Sequence, residues 1–158
     1  MLSYEGIFFD KKTVDIIKKM EEHPLPISND EMHCTFKYKP SKSEIFDELV
    51  GQEISVIITG YGCDGKNSGF EVMLPPEVTP YYINYDEDKP GRLKPPHITV
   101  AYAEGSTPAH TKDLEFINFS RPIVITGRFG YWIKENGKGF IYYDKYKESK
   151  GNKKSRYK

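Results

Sequence analysis

A chain of 158 residues with 37% apolar and 29% charged side chains holds enough for one modest core, a length that suits a single domain. No run approaches the ~18 apolar residues of a membrane span, the N-terminus lacks a signal-peptide pattern, and two cysteines, Cys34 and Cys63, are too few for a disulfide framework. A cytoplasmic chain with free thiols is therefore expected. The net charge of zero conceals an asymmetry: residues 145–158 carry seven basic side chains and one acid. This tail is expected to be disordered and solvated, and it is the part of the chain that would meet a long nucleic acid. The acidic remainder, residues 1–144, reads as the single folded domain and would repel a polyanion.

In chain order, Tyr4 to Phe9 reads as a strand, and Asp10 as the N-cap of a helix whose apolar stripe is Val14, Ile17 and Met20. That helix ends before Pro24 and Pro26. Met32 to Tyr38 alternates as a strand, with His33, Thr35 and Lys37 on one face and Met32, Cys34, Phe36 and Tyr38 on the other. Ser41 with Glu44 is a capping-box pair, predicting a short helix through Ile45, Phe46, Leu49 and Val50 that closes at Gly51. Glu53 to Tyr61 is a buried strand, and Asp64-Gly65 turns the chain into another at Phe70 to Leu74. The proline-rich stretch Pro75 to Pro96, with its acidic run Asp86-Glu87-Asp88, reads as a long ordered surface loop. His97 to Ala103 is a further strand. Ile123 to Ile133 and Phe140 to Tyr143 form a hairpin around Asn136-Gly137. The fold class this order predicts is α+β with an antiparallel sheet.

Two motifs stand out: His33-Cys34-Thr35-Phe36 and His97-Ile98-Thr99-Val100. Each is a histidine with a threonine two residues on, and each lies in a predicted strand, where period-2 alternation puts His and Thr side by side on one face. Thr fills 8 of the 158 positions, so two of four histidines carry it at that offset by chance roughly 1–2% of the time. His23 and His110 lack it. Breaking a phosphodiester without a metal needs one group to take a proton from the nucleophile and another to protonate the leaving oxygen. Histidine is the side chain suited to both near neutral pH. The neighbouring hydroxyls can donate to a non-bridging phosphate oxygen. A zinc site from His33, Cys34, Cys63 and His97 is disfavoured, because the adjacent His33 and Cys34 point to opposite faces. No cofactor or metal is expected.

At these residues, and with Pro95-Pro96 before the second motif, the sequence resembles the 2H phosphoesterase superfamily, which includes 2′-5′ RNA ligase-like proteins and cyclic phosphodiesterases. In size it is most similar to the small phage nucleases of that superfamily, which degrade cyclic-oligonucleotide alarm signals. The resemblance implies two lobes of antiparallel sheet with flanking helices around a central cleft. It implies His33 and His97 as the acid/base pair and Thr35 and Thr99 as the phosphate-holding hydroxyls. It further implies base stacking by an aromatic on the first strand and a late tryptophan, here Tyr4 and Trp132. Lys37, on the predicted His33 face, is a candidate phosphate contact. The expected activity is hydrolysis of a small cyclic oligonucleotide or related nucleotide signal. The alternatives are processing of 2′,3′-cyclic phosphate RNA ends, and a module that binds a nucleotide without cutting it.

Overall fold

The computed structural model describes residues 2–145; the basic tail from residue 146 lies outside the described residues. Eight strands, β1 (Leu2–Phe8), β2 (Ile27–Ser28), β3 (His33–Tyr38), β4 (Glu53–Cys63), β5 (Asn67–Met73), β6 (His97–Tyr102), β7 (Ile117–Glu135) and β8 (Lys138–Tyr142), accompany one α-helix, α1 (Lys11–Lys19). The strands form one antiparallel sheet in the order β2-β6-β5-β4-β7-β1-β3, with β8 paired to β7. The class is α+β. The long β7 joins the two parts of this sheet: it pairs with β4 from Ile117 to Arg128, with β1 from Arg128 to Ile133, and with β8 from Tyr131 to Glu135.

Local chemistry accounts for most of these elements. Asp10 caps α1, its side chain accepting from the Thr13 N–H at 2.8 Å. The helix buries Val14 and Ile17, and its last turn carries Lys18 and Lys19 where the carbonyl ends of the dipole favour cations. The β7–β8 hairpin turns at Asn136 (φ 52°) and Gly137 (φ 77°), the pair of positive φ angles that a two-residue turn of this hand requires. Phe36 sits at the centre of the core, edge-on to Tyr82 (5.4 Å) and Phe129 (5.1 Å), an arrangement that contributes about 0.5–1.5 kcal/mol per pair beyond area burial.

One expected element is corrected. The predicted helix over residues 41–51 is only a short 3₁₀ turn, Lys42–Glu44, followed by further turns. The capping contact does form, Ser41 N–H donating to Glu44 Oε1 at 2.9 Å. The ladder then stops, because the Phe46 N–H donates to the carboxylate of Glu5 at 3.3 Å instead of to a helical carbonyl. The strands β2 and the first third of β7 also go beyond the sequence reading.

The sheet path bends so that its ends meet: β3 lies against β6. The His97 backbone N–H reaches the Cys34 thiol, whose pKa burial pushes up to about 12. The Pro75–Pro96 loop seals this junction. Ile83 N–H donates to Phe36 O at 3.1 Å and Asn84 Nδ2 to Thr35 O at 3.3 Å, so the free edge of β3 is covered by loop backbone and side chain. The loop returns to β6 through Tyr82, whose hydroxyl donates to Lys94 O at 2.8 Å. No helix of the described residues is long and apolar enough to cross a membrane.

Candidate active site

Strand register determines which side chains share a face, since directly opposed residues point to the same side of a sheet. On β7, Ile125, Phe129 and Tyr131 are buried in the core, so Val124, Thr126, Arg128 and Trp132 lie on the opposite, open face. Trp132 pairs with Tyr4 and Arg128 with Phe8. Phe8 in turn pairs with His33, and Gly6 with Thr35. Across the other half, Thr126 pairs with Ser55. On β5, Glu71 alternates with the buried Val72 and pairs with His97, while Gly69 pairs with Thr99. Both His-x-Thr motifs thus lie on the same face of one continuous sheet, and the β3–β6 junction brings them together from its two ends.

His33 is held tightly. Its ring stacks on Tyr4 at 4.5 Å between centroids, and Phe8 lies 5.6 Å away. Its Nδ1 is 3.1 and 3.2 Å from the two carboxylate oxygens of Glu31. Glu31 also accepts from the Tyr4 hydroxyl at 3.0 Å. Because an ionised carboxylate only accepts, Nδ1 carries the proton and Nε2 is the atom left for chemistry. Burial, reinforced by Glu31, keeps the Tyr4 phenol far above its ordinary range.

His97 is oriented by a different group. Its Nδ1 donates to Pro95 O at 2.6 Å, a carbonyl that can only accept, so Nε2 is again the free nitrogen. The His97 pKa lies below the usual histidine value, chiefly because burial disfavours the charged ring, with the cationic Lys94 and His33 adding to the effect. His33 and His97 are therefore close enough for the charge of one to bear on the other.

The threonines are engaged with protein partners. The Thr99 hydroxyl lies 2.9 Å from that of Thr111 and 3.4 Å from Pro108 O, both in the 3₁₀ turn Pro108–Asp113. Thr35 is 7% exposed, and its hydroxyl bonds to that of Tyr38.

Lys37 does not share the His33 face, contrary to the sequence reading. A bulge in the β1–β3 pairing, where Gly6 opposes Thr35 but Glu5 opposes Lys37, leaves Phe36 as the extra residue and reverses the alternation after it. Lys37 therefore points with Glu5, and its ammonium lies 3.7 Å from Glu44. The same bulge turns Tyr38 onto the His33 face, 6.0 Å from Tyr4. Lys94 reaches this face, its Nζ 4.7 Å from the centre of the Tyr38 ring and 3.0 Å from Glu87.

Trp132 stacks on Tyr4 at 5.4 Å, so Tyr4 is packed among Trp132, His33 and Phe8 and acts on His33 directly. Arg128 also lies on this face, its guanidinium 5.1 Å from the Tyr143 ring. His23 and His110, without a threonine two residues on, are both exposed and lie elsewhere. Among the described residues, the acidic side chains grouped as a metal could require are Asp86, Glu87 and Asp88. The Lys112 ammonium occupies their midst, 2.7 Å from Asp86, 3.2 Å from Glu87 and 2.6 Å from Asp88.

Glu31, Lys94 and Tyr38 were absent from the sequence-based candidates. Glu31 was within reach, since two residues before His33 is the same face of an extended strand. Lys94 and Tyr38 carried no such signal: one depends on the path of a long loop and the other on a bulge. No protein-family profile matches the chain, and no curated protein is significantly similar to it.

Proposed function

We propose that the protein is a metal-independent phosphodiesterase of the 2H type, acting on a small cyclic oligonucleotide or related nucleotide. The observation that carries this reading is the pair of histidines on one sheet face, each with Nδ1 held by an acceptor and Nε2 left free. Two such groups, with different partners, suit one proton acceptor and one proton donor across a phosphate.

The two environments support a division of roles. His97, its charged form disfavoured by burial and by Lys94, is the base. His33, whose Nδ1–H faces the Glu31 carboxylate in an ion pair when both its nitrogens carry protons, is the acid. His97 Nε2 takes the proton from a ribose 2′-hydroxyl as its oxygen bonds to phosphorus. The bond from phosphorus to the 5′-oxygen breaks, and His33 Nε2 gives that oxygen its proton. The product is a 2′,3′-cyclic phosphate. Water then opens it with the two histidines in exchanged roles, which restores both protonation states.

Lys94, whose charge bears on His97, is a candidate cation for a non-bridging oxygen. Thr35 and Thr99 serve as hydroxyl donors when phosphate replaces their present partners. The two-lobed cleft of the 2H fold belongs to this reading and is supported by β7 joining the two parts of the sheet. Trp132 offers an indole for a base, a contact of ~1–3 kcal/mol.

The test is incubation with cyclic dinucleotides, cyclic trinucleotides and 2′,3′-cyclic nucleotides, followed by chromatography. The reading expects a linear product, with a 2′,3′-cyclic phosphate species at early times. Cleavage of 2′,3′-cyclic nucleotides alone would favour RNA-end processing. Binding across the panel with no product would make the protein a sequestering module.

A further inference from the structure

Glu87 stands between two lysines and gives each a different oxygen. Its Oε1 lies 3.2 Å from Lys112 Nζ and its Oε2 3.0 Å from Lys94 Nζ. The Lys112 and Lys94 side chains are 4% and 8% exposed, whereas that of Glu87 is 61% exposed. A carboxylate so open to water ordinarily holds a single lysine loosely, because fixing two long side chains costs entropy. This one is anchored by Lys112, which is itself fixed by Asp86 at 2.7 Å and Asp88 at 2.6 Å. Glu87 is ionised throughout the neutral range, its own backbone N–H, Lys94 and Lys112 holding its carboxyl at about 2.

The other end of this network is the candidate active site. Lys94 opens the Lys94-Pro95-Pro96 segment that leads into His97, and its charge bears on that ring. The Lys94 backbone is set by the loop, its N–H donating to Asn84 O at 2.9 Å. That bond does not fix the ammonium, which rides on a long flexible stem and is placed by what it pairs with. Lys112 belongs to the 3₁₀ turn Pro108–Asp113. The residue before it, Thr111, is fully buried and accepts from the Thr99 hydroxyl at 2.9 Å. Two consecutive residues of one turn thus reach a threonine of the second motif and, through Glu87, the cation near its histidine.

We propose that Lys112 is a positioning residue of the site: by holding one oxygen of Glu87 it turns the other toward Lys94 and keeps the Lys94 ammonium at the His97 end of the site. The proposal rests on the phosphodiester reading for the purpose of that ammonium, and on the geometry of the three side chains for its placement.

The ring titration of His97 in the full labelled chain, followed by NMR and assigned by its loss in His97→Gln, tests the placement without any substrate. The titratable and charged groups that face this residue are Lys94 from the loop, His33 and Cys34 from β3, and Glu71, its register partner on β5. Glu87→Gln separates two effects of opposite sign. If Lys94 departs with its anchor, the His97 midpoint should rise by at least ~0.3 pH, the scale of one ammonium withdrawn through hydrated surroundings. If Lys94 stays, deletion of a nearby negative charge should lower the midpoint. A rise is the expected result, and a fall or no change overturns the proposal. In a Lys94→Met chain Glu87→Gln should produce no rise, and a rise there would overturn it as well. Lys112→Met alone should raise the midpoint, but add less than ~0.1 pH on top of Glu87→Gln. An undiminished second shift would mean that Lys112 acts on His97 by its own charge, and a lower Tm with an unmoved midpoint would make Lys112 structural only; either result overturns the proposal. Glu87 is mostly exposed, so Glu87→Gln carries the test even where Lys112→Met does not fold. If the cyclic nucleotides go uncut while Glu87→Gln raises the midpoint, the positioning stands and the enzyme reading fails. Cleavage without that rise gives the reverse result.

Discussion

The two histidines differ in what holds Nδ1, a carboxylate for His33 and a peptide carbonyl for His97, and that difference has measurable consequences. Either His33→Ala or His97→Ala should lower turnover by about 10²–10⁴-fold. Thr35→Val or Thr99→Val should cost less, since both proton-transfer groups remain. Glu31→Gln should cost on the order of tenfold or more, because an amide can donate to Nδ1 and reverse the tautomer. A base works when neutral, and burial holds the His97 pKa below the usual value. The acid limb of kcat/KM is therefore expected below pH ~6.5. Lys94 contributes to that lowering, so Lys94→Met should move the same limb to higher pH as well as weaken substrate binding. A pH–rate profile of the two proteins checks this; an unmoved limb would detach Lys94 from His97.

At the scale of elements, β1 and its neighbours show where sequence patterns reach and where they stop. The alternation of β3 places His33 and Thr35 correctly up to the bulge and misplaces Lys37 and Tyr38 after it. A bulge is set by pairing with β1, which one strand's sequence does not contain. Gly6 does mark the spot: an added Cβ there would run into the Cys34 carbonyl of β3, so Gly6→Ala should disrupt the β1–β3 pairing and the His33 site together. The capping box of Ser41 and Glu44 is likewise visible in sequence, but the helix it announces is lost to a long-range bond from Phe46 to Glu5.

Glu5 is fully buried, with one carboxylate oxygen unpartnered, and burial raises its pKa from 4.5 to about 8. Through that interval the folded chain holds a proton that the unfolded chain has released, so stability falls as pH rises from about 4.5 to about 8 and levels off above. Glu5→Gln removes the titration. It should raise Tm at pH 8 by at least ~5 °C, with the gain vanishing below pH ~4.5. A constant difference across that range in thermal melts would contradict this account of Glu5. The acidic run 86–88 lies in a stretch that reads in sequence as a long ordered surface loop, and it grips Lys112, a lysine that is 4% exposed. Removing that lysine by Lys112→Met should destabilise the fold by about 3 kcal/mol, the scale for breaking a buried pair, as seen in urea melts.

For the molecule as a whole, the decisive feature is closure: a sheet whose first and last motif-bearing strands are distant in order is bent until they meet. The paired motifs, the proline pair before His97 and most strands are legible in the chain. The meeting of β3 and β6 is not, because it depends on β7 running through both halves and on a 22-residue loop (75–96) that bridges them. In the proposed mechanism the site transfers protons with its own side chains, so turnover should withstand chelation. The most direct measurement is therefore the rate of product formation, in EDTA, from the cyclic nucleotide the wild type consumes fastest, compared between wild type and His33→Ala/His97→Ala. The account predicts full wild-type turnover in EDTA and none by the double variant, which still binds the nucleotide. Loss of wild-type turnover on chelation, or cleavage by the double variant, would contradict it.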